Sequence, residues 1–183
     1  MKTLKTLLLS TTLIITSLSG TAQDANILFG AGTITGDRSE NYDMTYFFDF
    51  QYSILQETIG NKGYQNSNIH GYLVGGIRYL SIKSEAELDN NEPTLSWYFT
   101  PGVALNYNFK KLFIGFQVCW AGDISKGAFD ENNQDRPDMS GWQLSPRIGV
   151  ELFKSFNFVL SYENIHVNKK PFESFNAGFV VEL

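Results

Sequence analysis

From Met44 onward, apolar and polar side chains alternate with period two over long stretches. That is the mark of β-strands with one oily face and one of different character. In Trp142 to Phe153, Trp142, Leu144, Pro146, Ile148, Val150 and Leu152 fall on one face, and Gln143, Ser145, Arg147, Gly149 and Glu151 on the other. Leu95 to Tyr107 sets Trp97, Phe99, Val103 and Leu105 against Ser96, Thr100, Gly102 and Ala104. Leu112 to Ala121 sets Ile114, Phe116, Val118 and Trp120 against Gly115, Gln117 and Cys119. Tyr46 to Ile54, Phe156 to Glu163 and the closing segment to Leu183 behave likewise. Asn26 to Thr35 is Gly-rich and His70 to Ile82 reads as a strand, but neither declares its facing. The pattern predicts eight antiparallel strands, each near the roughly 9 to 11 residues that cross a bilayer as a tilted strand.

The connections alternate in length. Counting from an N-terminus on the periplasmic side, the outer connections are Asp37 to Asp43, Ser84 to Thr94, Gly122 to Gly141 and His166 to Pro171. The turns at Asn108 to Lys111 and Lys154 to Ser155 are short, which is the habit of outer-membrane barrels. Leu55 to Ser67 is long for a turn, so longer strands meeting at Gly60-Asn61-Lys62-Gly63 are expected there. A second signal is an echo: Trp97-Tyr98-Phe99-Thr100-Pro101 is matched by Trp142-Gln143-Leu144-Ser145-Pro146. A strand proline removes a ladder hydrogen bond, so Pro101 and Pro146 are expected to mark bulges or bends.

Residues 1–23 do not fit this scheme. Lys2 and Lys5 precede the apolar run from Leu7 to Ile15, and Gly20, Thr21, Ala22 and Gln23 follow as small or polar residues. The segment reads as a cleaved secretory signal, with cleavage after Ala22 or Gln23, leaving residues 24–183 as the barrel.

Alternation alone does not say which face is outside, since a soluble barrel turns its oily face inward. Composition decides. A soluble barrel needs charged exterior strand positions, whereas every lysine beyond residue 23 falls in a loop, a turn or a strand end. The second face is instead Gly, Ala, Ser, Asn and Gln, which suits the crowded lumen of an eight-stranded barrel. Its few ions are Asp49, Arg147, Glu151, Glu163 and Glu182, joined by Arg78. Buried charges persist when paired, so a lumenal network is expected in which carboxylates hold Arg78 and Arg147. On the oily face, Trp97, Trp120 and Trp142 all fall at the loop ends of their strands, where an outer aromatic girdle belongs. Tyr52, Tyr107 and Phe156 are the matching periplasmic girdle.

The whole of 24–183 thus resembles the small eight-stranded outer-membrane barrels of the OmpA/OmpX type. Those barrels end in a strand with an aromatic final residue read by the assembly machinery. Here Phe175, Phe179, Val181 and Leu183 keep the spacing, and the last residue is Leu. The resemblance implies an all-β, up-and-down transmembrane barrel in the outer membrane. Its partners would be outer-membrane lipid and lipopolysaccharide, the barrel-assembly machinery, and an envelope protein at the loops.

The chain is 183 residues long with net charge −5, 15% aromatic and 18% charged. These values speak against nucleic-acid binding and disorder. The single Cys119 excludes a disulfide framework. The chain also resembles the outer-membrane lipid A deacylases in size. Those enzymes use a His-x-Ser-Asn stretch and a later Glu. His166 and Glu173 are present here, but Asn168 stands at the serine position, leaving no activated nucleophile. The acidic outer loops lack EF-hand spacing. The expectation is therefore a structural or interaction barrel with no catalytic residue, metal or cofactor. A deacylase-like enzyme and a narrow solute channel are the alternatives.

Overall fold

The computed structural model describes residues 25–59, 67–83, 96–124, 140–166 and 171–183. Its strands are β1 (Ala25–Thr35), β2 (Tyr42–Ile59), β3 (Ser67–Ile82), β4 (Ser96–Phe99), β5 (Gly102–Phe109), β6 (Leu112–Asp123), β7 (Gly141–Phe153), β8 (Phe156–His166) and β9 (Phe172–Glu182). One 3-10 turn, Gly36–Arg38, joins β1 to β2. All pairings are antiparallel, and β9 returns to β1 from Asn26↔Glu182 to Thr35↔Glu173. With β2 paired to both β1 and β3, and β5 to both β3 and β6, the ring closes on itself. Closure leaves no unpaired edge, which a strand in lipid cannot tolerate.

β4 and β5 are two halves of one span. Both pair with β3 and β6 in one unbroken register, Ile77↔Phe99 continuing to Val74↔Gly102. Gly76 and Thr100 exchange backbone hydrogen bonds at 3.2 and 2.8 Å, and Trp120 donates to the Pro101 carbonyl at 2.9 Å. Pro101 has no N–H to return, so the ladder lapses there without a bulge. The eight spans expected from the alternation are therefore present. The expected bulges at the prolines are not. β7 keeps its register across Pro146, although its bridges to β8 skip from Leu144↔Asn164 to Arg147↔Ser161. The irregularities fall instead between Tyr42 and Thr45, Ser53 and Leu55, and Glu151 and Phe153.

The long Leu55 to Ser67 connection resolves as expected on the strand side: β2 runs to Ile59 and β3 starts at Ser67. The tetrapeptide at 60–63 lies outside the described residues, as do 1–23 and most of the two long acidic loops. At the two short turns, Lys110 and Ser155 take φ of 54° and 68°, the left-handed region that L side chains enter at a cost.

The oily face is outside. Phe48, Leu73, Ile77, Val103, Leu105, Ile114, Ile148, Leu160 and Phe175 are all exposed large apolar residues near mid-strand. So large a continuous apolar surface cannot face water in a monomer, but it fits lipid. The two strands of open facing are now fixed: Leu28 and Ile34 of β1, and Tyr72, Val74, Arg78 and Leu80 of β3, point inward. The lumen is packed with side chains. Toward the outer loops it holds Ile34, Tyr42, Leu80, Tyr98, Ala121, Ile165 and Phe172. Arg38 from the 3-10 turn covers this end, its guanidinium 4.4 Å from the Phe172 ring centre. Nearer the short turns lie Leu28, Phe47, Phe113, Val159 and Val180, with Tyr72, Val74, Ala104 and Cys119 beside them.

Candidate functional site: a buried ionic cluster

Between those apolar layers sits a cluster of charged and amide side chains. Each comes from an inward position of a strand whose next inward neighbours are mostly small or apolar. Asp49 (β2), Arg78 (β3), Gln117 (β6), Arg147 (β7) and Glu163 (β8) are at most 5% exposed. Arg78 is the hub. Its Nη1 and Nη2 donate to the two Asp49 carboxylate oxygens, a bidentate pair with the second bond at 2.9 Å. Its Nε donates to both Glu163 oxygens at 3.2 Å, and Nη2 reaches Glu163 Oε1 at 3.0 Å. The planar fork of arginine suits two carboxylates in a way a lysine could not. The Phe47 ring lies 5.2 Å from the guanidinium, within cation–π range.

Backbone spacing makes room for this pair. Gly76 sits where a Cβ would meet the Asp49 carboxylate and come within 2.8 Å of Thr100 Oγ1. Gly149 plays the same part for the Phe113 ring, since a Cβ there would run into it. Any larger residue at either point would need the packed neighbours to move.

Arg147 departs from the expected arrangement. Among the described residues it makes no hydrogen bond to a carboxylate. Its Nε donates to Asn106 Oδ1 and its Nη1 to Gln117 Oε1, both at 3.0 Å. Gln117 Nε2 in turn donates to Asp49 Oδ2 at 3.1 Å, so an amide relays Arg147 to the central acid. With both arginines and both acids ionised, the formal charges sum to zero. Glu151 and Glu182, expected in the same network, lie apart at the mouth beside the short turns. The Glu151 amide donates to the Lys111 carbonyl at 2.7 Å, and Glu182 accepts from Asn157 Nδ2 at 3.2 Å. The reason is distance along the strand: Glu182 closes β9, and Glu151 stands two residues from the end of β7.

All six expected girdle residues are on strands. Trp120 and Trp142 face each other across β6 and β7, edge to face at 5.4 Å, and are 43% and 58% exposed. Trp97 packs on Tyr79 at 4.8 Å, and Tyr79 stacks with Tyr46 at 6.1 Å. At the other end Tyr107 is exposed, Phe156 stacks on Phe179 at 5.1 Å, and Tyr52 pairs with the exposed Leu73. Tyr46 and Tyr79, which the alternation did not single out, extend this row of rings from Trp97.

Of the deacylase-like residues, His166 is exposed at the end of β8 opposite Trp142. Glu173 pairs with Asn164 on β8 and accepts from Tyr162 Oη at 2.7 Å and Asn164 Nδ2 at 3.3 Å. Position 168 lies outside the described residues. Among the described residues no group of three or more His, Cys, Asp or Glu could hold a metal. Cys119 is buried, with its sulfur accepting from Gln117 Nε2 at 3.3 Å.

A closed antiparallel ring with an apolar exterior, aromatic belts and a filled interior defines the fold of a small transmembrane β-barrel. Two solved structures share it. A de novo designed transmembrane β-barrel superposes with a TM-score of 0.53 at 8% identity, covering 88% of this chain and 97% of that one. The outer-membrane protein Ail of Yersinia pestis, solved in a phospholipid nanodisc, gives 0.50 at 9%, covering 88% and 99%. No protein-family model matches the sequence, nor does any curated protein.

Proposed function

We propose that the protein is an integral outer-membrane barrel of the OmpA/OmpX type. On this reading the barrel is a rigid stake and the outer loops are its contact surface for another envelope component. The observation that carries the reading is the lumen. Arg78, Asp49 and Glu163 are locked together between two apolar layers, which supports an interior that serves as a structural core in place of a conduit. Filled interiors are what eight strands allow. Lipid and lipopolysaccharide surround the barrel, and the assembly machinery reads the last strand. His166 has no catalytic part in this proposal.

The test is fractionation and gel mobility. The protein should enter the outer-membrane fraction and require detergent for extraction. Its unboiled form should run differently from the boiled form on an SDS gel. In planar bilayers the folded protein should pass no steady current, and photo-cross-linkers in the outer loops should capture a discrete envelope protein. A soluble periplasmic monomer would overturn the proposal, and a steady ohmic conductance would replace it with the channel reading.

A further inference from the structure

A second polar feature lies at the opposite end of the lumen from Arg38 and meets the ionic cluster at Asn106. A cavity of about 420 Å³ opens beside the two short turns, within the roughly 300 to 1,000 Å³ of small-molecule sites. Phe113 and Val180 of the apolar layer line it, and Asn106 joins its wall to Arg147.

Its walls are unusual in kind. Six carboxamides face it: Asn26, Gln51, Asn68, Asn106, Asn108 and Asn157. Gln51 is 1% exposed, and among the described residues neither its Nε2 nor Asn68 Oδ1 has a hydrogen-bond partner. A buried donor left unmade costs free energy unless a ligand or water completes it. Two of the six are partly engaged: Asn106 Oδ1 accepts from Arg147 Nε at 3.0 Å, and Asn157 Nδ2 donates to Glu182 Oε1 at 3.2 Å. The ions of the cavity are Lys110 and Lys111 against Glu151 and Glu182. Their opposed signs give the cavity no net charge with which to select an ion. Tyr72 and Phe113 add ring surface to the floor.

From these features we infer that the cavity binds an uncharged, polyhydroxylated ligand, a saccharide unit. Each hydroxyl of such a ligand both donates and accepts, as each carboxamide does. Its C–H faces suit aromatic rings, and it needs no counter-charge. The membrane side that this mouth faces rests on the proposed topology, but the ligand chemistry does not. A free oligosaccharide and the terminus of a glycan strand share that chemistry.

The test uses the full barrel in nanodiscs, with its Asn and Gln side-chain amides observed by ¹⁵N NMR. Titrants are maltose and N,N′-diacetylchitobiose as uncharged sugars, a zwitterionic tripeptide, and inorganic phosphate. At least one sugar should shift the cavity amides saturably while the tripeptide and phosphate leave them unmoved. Gln51→Leu and Asn157→Leu should each weaken that sugar at least about tenfold, with gel mobility unchanged. Should either fail to fold, Asn108→Trp at the cavity wall should abolish binding in its place. Solubilised glycan fragments competing with the disaccharide would identify a polymer end; failure to compete would identify the free sugar. No saturable shift with either sugar to tens of millimolar, or a response to tripeptide or phosphate alone, would overturn the inference and leave a water-filled vestibule, without touching the barrel assignment.

Discussion

Removing the hub of the ionic cluster strands its partners, and the cost can be worked from the bonds. Arg78→Met deletes the bidentate pair to Asp49 and the contacts to Glu163, leaving two acids at no more than 3% exposure. Asp49 keeps Gln117, and through it the charge of Arg147; Glu163 loses the arginine outright. Breaking a buried pair from one side costs about 3 to 5 kcal/mol. Glu163→Gln alone leaves Arg78 an amide oxygen to donate to but one uncompensated positive charge, so about 1 to 3 kcal/mol is expected. The double variant removes one charge of each sign and leaves the neutral Arg147–Gln117–Asp49 relay intact. Its cost should fall below that of Arg78→Met alone, with a coupling of about 2 kcal/mol or more between the two changes. Urea unfolding from lipid vesicles, followed by Trp fluorescence, measures all four corners of the cycle. Additivity within about 0.5 kcal/mol would refute the idea that these groups form one unit.

Other substitutions probe separate parts of the account. Gly76→Ala should destabilise by about 1 to 3 kcal/mol through overpacking against Asp49, while Gly75→Ala, with nothing within 4 Å of its Cβ, should change stability by less than about 0.5 kcal/mol. The same unfolding assay ranks the two. Ser155→Gly should stabilise by up to about 1 kcal/mol in that assay, because relief of the left-handed backbone outweighs the added freedom of unfolded glycine. Ile148→Arg, on the exposed outer face near mid-strand, should cost about 2 to 4 kcal/mol in vesicles. At the surface of a water-soluble barrel the same change would cost almost nothing, so a neutral result counts against lipid contact.

The division between strand faces was readable along the chain because period-two alternation is local. Trp142 to Leu152 against Gln143 to Glu151 fixes a strand and its two sides without reference to any other element. The facing of His70 to Ile82 was not readable, since Gly71, Gly75 and Gly76 interrupt the contrast on which such a reading depends. Cross-lumen partnerships were also hidden. Arg78 and Glu163 are 85 residues apart and meet only because the strands close with a particular stagger. Charge counting therefore gave Arg147 a carboxylate, when the stagger offers it Asn106 and Gln117. The same stagger leaves Glu151 and Glu182 at the mouth. Arg38 escaped notice because it lies in a connection, where the alternation carries no information about which way a side chain turns.

The claim on which the rest depends is that the oily face of each span touches acyl chains. Spin labels placed singly at 142, 143, 144, 145 and 148 of β7, on a Cys119→Ala background in nanodiscs, test it by their collision rates with oxygen and with a water-soluble nickel chelate. The account predicts a period of two, with oxygen dominating at 142, 144 and 148 and neither reagent favoured at 143 and 145. Nickel dominating at 142, 144 and 148 would put those side chains in water and contradict it.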